Sequence, residues 1–173
     1  MMYAVVRLFL LRVPSECAPL EVDGPHSQIT LEDDAVTITL YRRKNAAAPS
    51  VLKRHCVCLS EGRTLCGVCA LRDWMARAVG AQHGRVFKRS AARFLHRLRA
   101  DALQIGLHEA HRLGSHSLRR GMARDIVLAG GSLATLLRAG QWRSKSFMVY
   151  LQEQTLDEQA VAQLVIDHSD DDQ

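Results

Sequence analysis

The sequence predicts an α+β fold, mainly helical with one small antiparallel β-hairpin. Phe87, Ala91, Phe94, Leu98, Ala102 and Ile105 recur at three-to-four spacing, as the buried face of an amphipathic helix does. Leu118, Met122 and Ile126 repeat the pattern further on. By contrast, Ala35 to Leu40 (Ala-Val-Thr-Ile-Thr-Leu) alternates and is β-branched, which suits a pleated strand.

Each element follows in order. Tyr3 to Leu20 is expected as a helix bent near Pro14 and broken before Gly24-Pro25. Its apolar start is short, is interrupted by Arg7 and has no small-residue cleavage site before Arg12. These features favour a core helix over a signal peptide. No other stretch approaches ~20 apolar residues, so no membrane span is expected. The strand at 35–40, the turn Asn45-Ala-Ala-Ala-Pro49 and a return strand from Ser50 to Val57 form the hairpin, with Lys44 near its tip. Helices are then expected over Leu71 to Val79 and over the Phe87 to Ile105 repeat. Another spans Ser117 to Ala129, capped by Ser115 and ended by Gly130-Gly131. Ser132 caps the next, which Gly140 stops. A helix from about Ser146 carries Tyr150, and Leu156 to Ile166 forms the last. One domain over 1–166 and an acidic disordered tail over 167–173 result.

The chain has 173 residues and a net charge of +5, with an excess of arginine between Arg85 and Arg124. In that span the only acids are Asp101 and Glu109, so a polyanionic partner is expected there, a solvated helix face being the plainer reading. Cys56, Cys58, Cys66 and Cys69 form a Cys-x-Cys…Cys-x-x-Cys cluster. Without a signal peptide, metal binding is a sharper expectation for it than disulfides, with structural zinc the candidate ion and a loop of free thiols the alternative.

His116-Ser-Leu-Arg119, the Ala-Gly of 129–130, Ala139-Gly-Gln-Trp142 and Tyr150 together resemble the tyrosine recombinase (phage integrase) family, in its branch with tryptophan at the penultimate catalytic position. Upstream, Leu11-Arg12-Val-Pro-Ser-Glu16 is similar to the family's first-arginine helix, and Tyr41-Arg-Arg-Lys44 stands where its catalytic lysine falls. The resemblance spans about Leu10 to Leu164. It implies a tyrosine-recombinase catalytic domain that cuts and rejoins double-stranded DNA through a 3′-phosphotyrosine, with no metal used in the chemistry. Tyr150 would be the nucleophile. Arg12 and Arg119 would hold the scissile phosphate, since a guanidinium fork matches phosphate oxygens. His116 would assist proton movement, Trp142 would donate its indole N–H or pack beneath the site, and Lys44 would protonate the 5′-oxygen. Arg42, Arg43, Arg120, Arg143 and Lys145 would contact the DNA backbone. Self-association on DNA through the C-terminal helix is implied as well.

Taken singly, these residues have plainer roles: a surface arginine for Arg12, core packing for Trp142 and Tyr150. The interval from Trp142 to Tyr150 is one residue short for the family, so either Gln141 occupies the tryptophan position or the turn is tighter. The cysteine-rich segment at about 55–69 is foreign to bacterial and phage members and suggests, by loose analogy, a eukaryotic mobile element. The family's N-terminal DNA-binding domain is missing, so an N-terminally truncated catalytic domain is expected. It would act inside the cell, in the nucleus of a eukaryotic host or the cytoplasm of a bacterial one. Two rivals remain at this level. One is a non-catalytic DNA-binding remnant, because Ser115 to Gly140 also fits a helix-turn-helix. The other is a zinc-stabilised interaction domain.

Overall fold

Successive β-branched residues at Val36, Thr37, Ile38 and Thr39 set the middle strand of an antiparallel sheet in the computed structural model. The structure describes residues 1–44, 46, 48–58, 66–77 and 84–142. The sheet has three strands in sequence order: β1 (Ser27–Leu31), β2 (Ala35–Leu40) and β3 (Ser50–His55). Ile29, Ile38 and Leu52 lie opposite one another, and all three are buried. The hairpin was legible in the sequence; β1 was not, because its Ser-Gln start lacks strand character. Ser27 is nevertheless fully buried, its hydroxyl accepting from the N–H of Glu21 at 2.7 Å and donating to the Glu21 carbonyl at 3.0 Å.

The first helix is shorter than its apolar pattern suggests. α1 spans Met2–Leu8, and a single π-turn covers Val13–Cys17. Between them Leu10 takes a φ of 49°. That conformation costs an L-residue about 1–2 kcal/mol. Packing explains it: Phe9 and Leu11 enter the core made with the sheet, whereas Leu10 points into a second core with Ala123, Leu136 and Trp142. Three consecutive apolar residues thus serve two cores, which an unbroken helix could not arrange.

α2 (Gly67–Arg77) and α3 (Ala91–Gln104) follow. α2 starts four residues before the expected Leu71. α3 starts at Ala91 because Ser90 caps it, accepting from the N–H of Arg93. Phe94, Leu98 and Ala102 face the core as expected, but Ile105 lies beyond the helix and is 85% exposed. Tyr3 ties α1 to α3 by an edge-on ring contact with Phe94 and a 2.9 Å hydrogen bond to Asp101.

α4 (Ser117–Leu128) packs on α1 and on α5 (Leu133–Gly140). Ser115 does not cap α4. His116 holds that position, and the Ser117 hydroxyl accepts from the Gly114 N–H at 2.9 Å. Ser132 does cap α5, accepting from the Thr135 N–H. Gly140 ends α5 where a Cβ would fall 2.0 Å from the Trp142 ring, so no larger residue fits without moving the indole. Gln141 follows with a φ of 49°. Among the described residues, no helix is long and apolar enough to cross a membrane. The helices expected around Tyr150 and over Leu156 to Ile166, and the acidic tail, lie outside the described residues, as do Arg143 and Lys145.

Candidate anion site and cysteine cluster

The π-turn after Leu10 presents Arg12 and Glu16 to a cluster of buried charged side chains, the arginine pocket. Glu16 is its hub. The carboxylate accepts from the Arg12 backbone N–H at 2.8 Å and the Arg12 guanidinium at 2.6 Å. It also accepts from Arg43 Nε at 3.0 Å, and Arg119 Nη1 lies 3.8 Å away. Burial pushes the Glu16 carboxyl upward. The charge of Arg43, the Arg12 N–H and the Arg12 charge outweigh that and hold it below its ordinary value. Among the described residues, three guanidinium groups against one carboxylate leave an excess of two positive charges in a buried place, the electrostatic condition for binding an anion.

Arg119 enters from α4 and its side chain is 1% exposed. Its Nη1 donates to the Leu10 carbonyl, its Nη2 to that of Gly140 at 3.0 Å, and its guanidinium lies 4.5 Å from the Trp142 ring centroid. It joins the strained end of α1 to the end of α5. His116, one turn earlier, is half-buried, with Nδ1 3.2 Å from the Ser115 hydroxyl. Burial and then the charges of Arg119, Arg12 and Arg120 push its pKa down, which favours the neutral imidazole.

The structure therefore brings together Arg12, His116, Arg119 and Trp142 of the residues expected to act. Lys44 is exposed at the hairpin tip with Arg42, and Arg120 is exposed on α4. Arg43, expected with Arg42 on a DNA-facing surface, is instead buried: its Nε and Nη2 bond Glu16 and its Nη1 the Gln141 side chain at 3.3 Å. Gln141 in turn donates to the Val51 carbonyl at 2.8 Å, fastening the Trp142 turn to β3. Glu16 was missed as a functional residue. The available signal was its place four residues after Arg12, the spacing at which opposite charges meet on one helical face. Of the three guanidinium groups, Arg12 is the most accessible, its side chain 21% exposed.

Cys56 and Cys58, just beyond β3, meet Cys66 and Cys69 at the start of α2. Sulfur–sulfur distances are 3.3 Å for Cys56–Cys69, 3.6 Å for Cys58–Cys69 and 3.9 Å for Cys56–Cys66. All four sulfurs lie within 4.8 Å of one another and could hold a metal ion. None is a disulfide, whose sulfurs stand about 2.05 Å apart. Burial raises the Cys66 thiol, but the N–H groups of Cys69, Val57 and Val68 prevail and bring it down to about 6.

Comparison of the chain with protein-family models, with curated proteins and with solved structures finds no match. The arginine-rich pocket is equipped to hold an anion and the cysteines to hold a thiophilic metal.

Proposed function

We propose that the chain is the catalytic domain of a tyrosine-recombinase-type enzyme that cleaves and rejoins double-stranded DNA. The observation that carries this reading is the pocket in which Arg12, Arg43 and Arg119 surround the Glu16 carboxylate, with His116 and Trp142 beside them. A phosphodiester would supply the missing negative charge. Tyr150 Oη attacks phosphorus and the P–O5′ bond breaks as the P–Oη bond forms. The tyrosine proton passes toward His116, and the 5′-oxygen takes a proton from Lys44. Arg12 and Arg119 stabilise the charge on the non-bridging oxygens. Religation reverses these steps, so the phosphate bond energy is conserved in the protein–DNA link. Arg42, Arg120, Arg143 and Lys145 steer the duplex, and protomers associate on it through the segment at 156–166. DNA as substrate places the action in the nucleus of a eukaryotic host or the cytoplasm of a bacterial one. The cysteine cluster holds a structural zinc ion that takes no part in the chemical steps themselves.

One observation favours a second reading, a non-catalytic DNA-binding remnant. The Arg119 guanidinium is enclosed, with both terminal nitrogens on backbone carbonyls, as in a structural fastener. Covalent capture decides between the two. The chain is incubated with nicked, partly randomised duplexes and denatured in detergent. A protein–DNA adduct that Tyr150→Phe abolishes is the expected result. Duplex binding without any adduct, indifferent to Tyr150→Phe, would establish the remnant instead.

A further inference from the structure

We propose that Cys56, Cys58, Cys66 and Cys69 form a closed tetrathiolate zinc site, and that this ion, by pinning β3 to α2, holds the arginine pocket in its anion-binding form. The second half rests on the reading of that pocket as a phosphate site. Four thiolates around zinc at about 2.3 Å, arranged tetrahedrally, place their sulfurs about 3.8 Å apart. The three distances of 3.3, 3.6 and 3.9 Å bracket that value. With four sulfur ligands no position is left for water, which marks a structural site.

What the ion would fasten follows from the residues on either side. Cys56 continues β3, and its N–H donates to the Asp34 carbonyl at 2.5 Å. Two residues earlier, Arg54 reaches across the molecule. Its Nε donates to the Leu8 carbonyl at 3.1 Å and its Nη2 to that of Ala139 at 2.9 Å, with the guanidinium over the Phe9 ring. Val51 on the same strand receives Gln141. On the other side, Gly67 lies between the ligands Cys66 and Cys69 and presses on α1, where a Cβ would stand 2.8 Å from the Leu8 side chain. The zinc thus joins two elements that both bear on Leu8. Two residues past Leu8 is Leu10, whose carbonyl receives Arg119, and next to Ala139 is Gly140, whose carbonyl also does. Displacing β3 from α2 moves both acceptors of Arg119, and with them the frame that seats Arg12 and Trp142.

The test uses the full chain with Trp74→Phe, so that Trp142 is the remaining tryptophan of two. Elemental analysis of protein purified without chelator should give one zinc per chain, lost in Cys66→Ser/Cys69→Ser; no metal, or iron in its place, overturns the assignment. Acrylamide quenching of Trp142 and affinity for a fluorescent duplex are then followed through chelation and zinc return. Chelation should raise quenching and weaken the duplex complex about tenfold, an ordinary size for coupled sites. Zinc should restore both. A Trp142 response without any duplex binding supports the staple and overturns the DNA reading of the pocket. Unchanged quenching and affinity overturn the staple. If the metal-free chain unfolds, Arg54→Gln replaces chelation: loaded with one zinc and with native far-UV dichroism, it should still expose Trp142, and a protected Trp142 refutes the link.

Discussion

Replacing Glu16 by glutamine keeps the shape of the pocket and removes its negative charge. The side chain is 2% exposed and touches Arg12 and Arg43 directly, with Arg119 at 3.8 Å. Breaking a buried ion pair from one side costs about 3–5 kcal/mol, because the remaining charge stays buried and unbalanced. Against a total stability of about 5–15 kcal/mol the variant stays folded in most of that range, and its melting temperature falls by about 10 °C. Two further readouts separate charge from packing. The folded-state pKa of Glu16 lies below its unfolded value, so its contribution is fully present above the unfolded pKa, about 4.3, and is lost as pH falls through the folded pKa. Wild-type protein should therefore show an acid-dependent loss below about pH 4 that Glu16→Gln lacks. Sulfate should also raise the melting temperature of the variant more than that of the wild type at matched ionic strength, since a divalent anion can replace the missing charge. Differential scanning calorimetry measures all three. A loss under about 1 kcal/mol, with no extra sulfate effect, would refute the view of Glu16 as the counter-charge of this pocket.

Other consequences are as direct. His116 should titrate below the ordinary histidine range by NMR. Its depressed pKa contributes stability that is present above the unfolded value and lost as pH falls, and Arg119→Met should move it upward by removing the second of its causes. Gly140→Ala forces a methyl into the Trp142 ring, which should cost about 1–3 kcal/mol in urea denaturation and shift the indole emission. Phe94→Ala, at a 2% exposed core position, should cost about 3–5 kcal/mol by the same assay.

Much of the fold was legible because periodicity tracks burial. Phe94, Leu98 and Ala102 declared α3, Ser132 declared the start of α5, and the alternation at 35–40 declared β2. The failures came where tertiary packing overrode local pattern. Tyr3 to Leu20 reads as one long helix bent near Pro14, but Leu10 is drawn into a different core from Phe9 and Leu11, and the helix stops at Leu8. β1 was hidden because its Ser27 is buried by a hydrogen bond to Glu21 that no pattern announces. Among site residues, Arg12, His116, Arg119 and Trp142 are close in space although 130 residues separate the first from the last, and motif spacing was the only sequence signal that grouped them. Arg43 and Lys44 were interchangeable in sequence, two cations at a hairpin tip. The fold separates them, burying Arg43 on Glu16 and leaving Lys44 in solvent.

That separation bears on how the pocket works. An arginine buried against a carboxylate has little freedom to follow a moving substrate, whereas an exposed lysine on a turn retains its flexible stem. Arg43 is thus suited to holding Glu16 and Gln141 in place, and in the proposed enzyme Lys44 would be the mobile proton donor. The same division applies to the other two arginines. Arg119 spends its terminal nitrogens on the carbonyls of Leu10 and Gly140, which fixes the two chain reversals that frame the site. Arg12, bonded to Glu16 and partly open to solvent, has the most accessible fork of the three, so in the proposed enzyme it would turn to the phosphate while Arg119 would contribute its charge from a fixed position. Arg12→Lys should accordingly weaken duplex binding while leaving the fold intact. Arg119→Lys should lower thermal stability first, because a single ammonium cannot span both carbonyls.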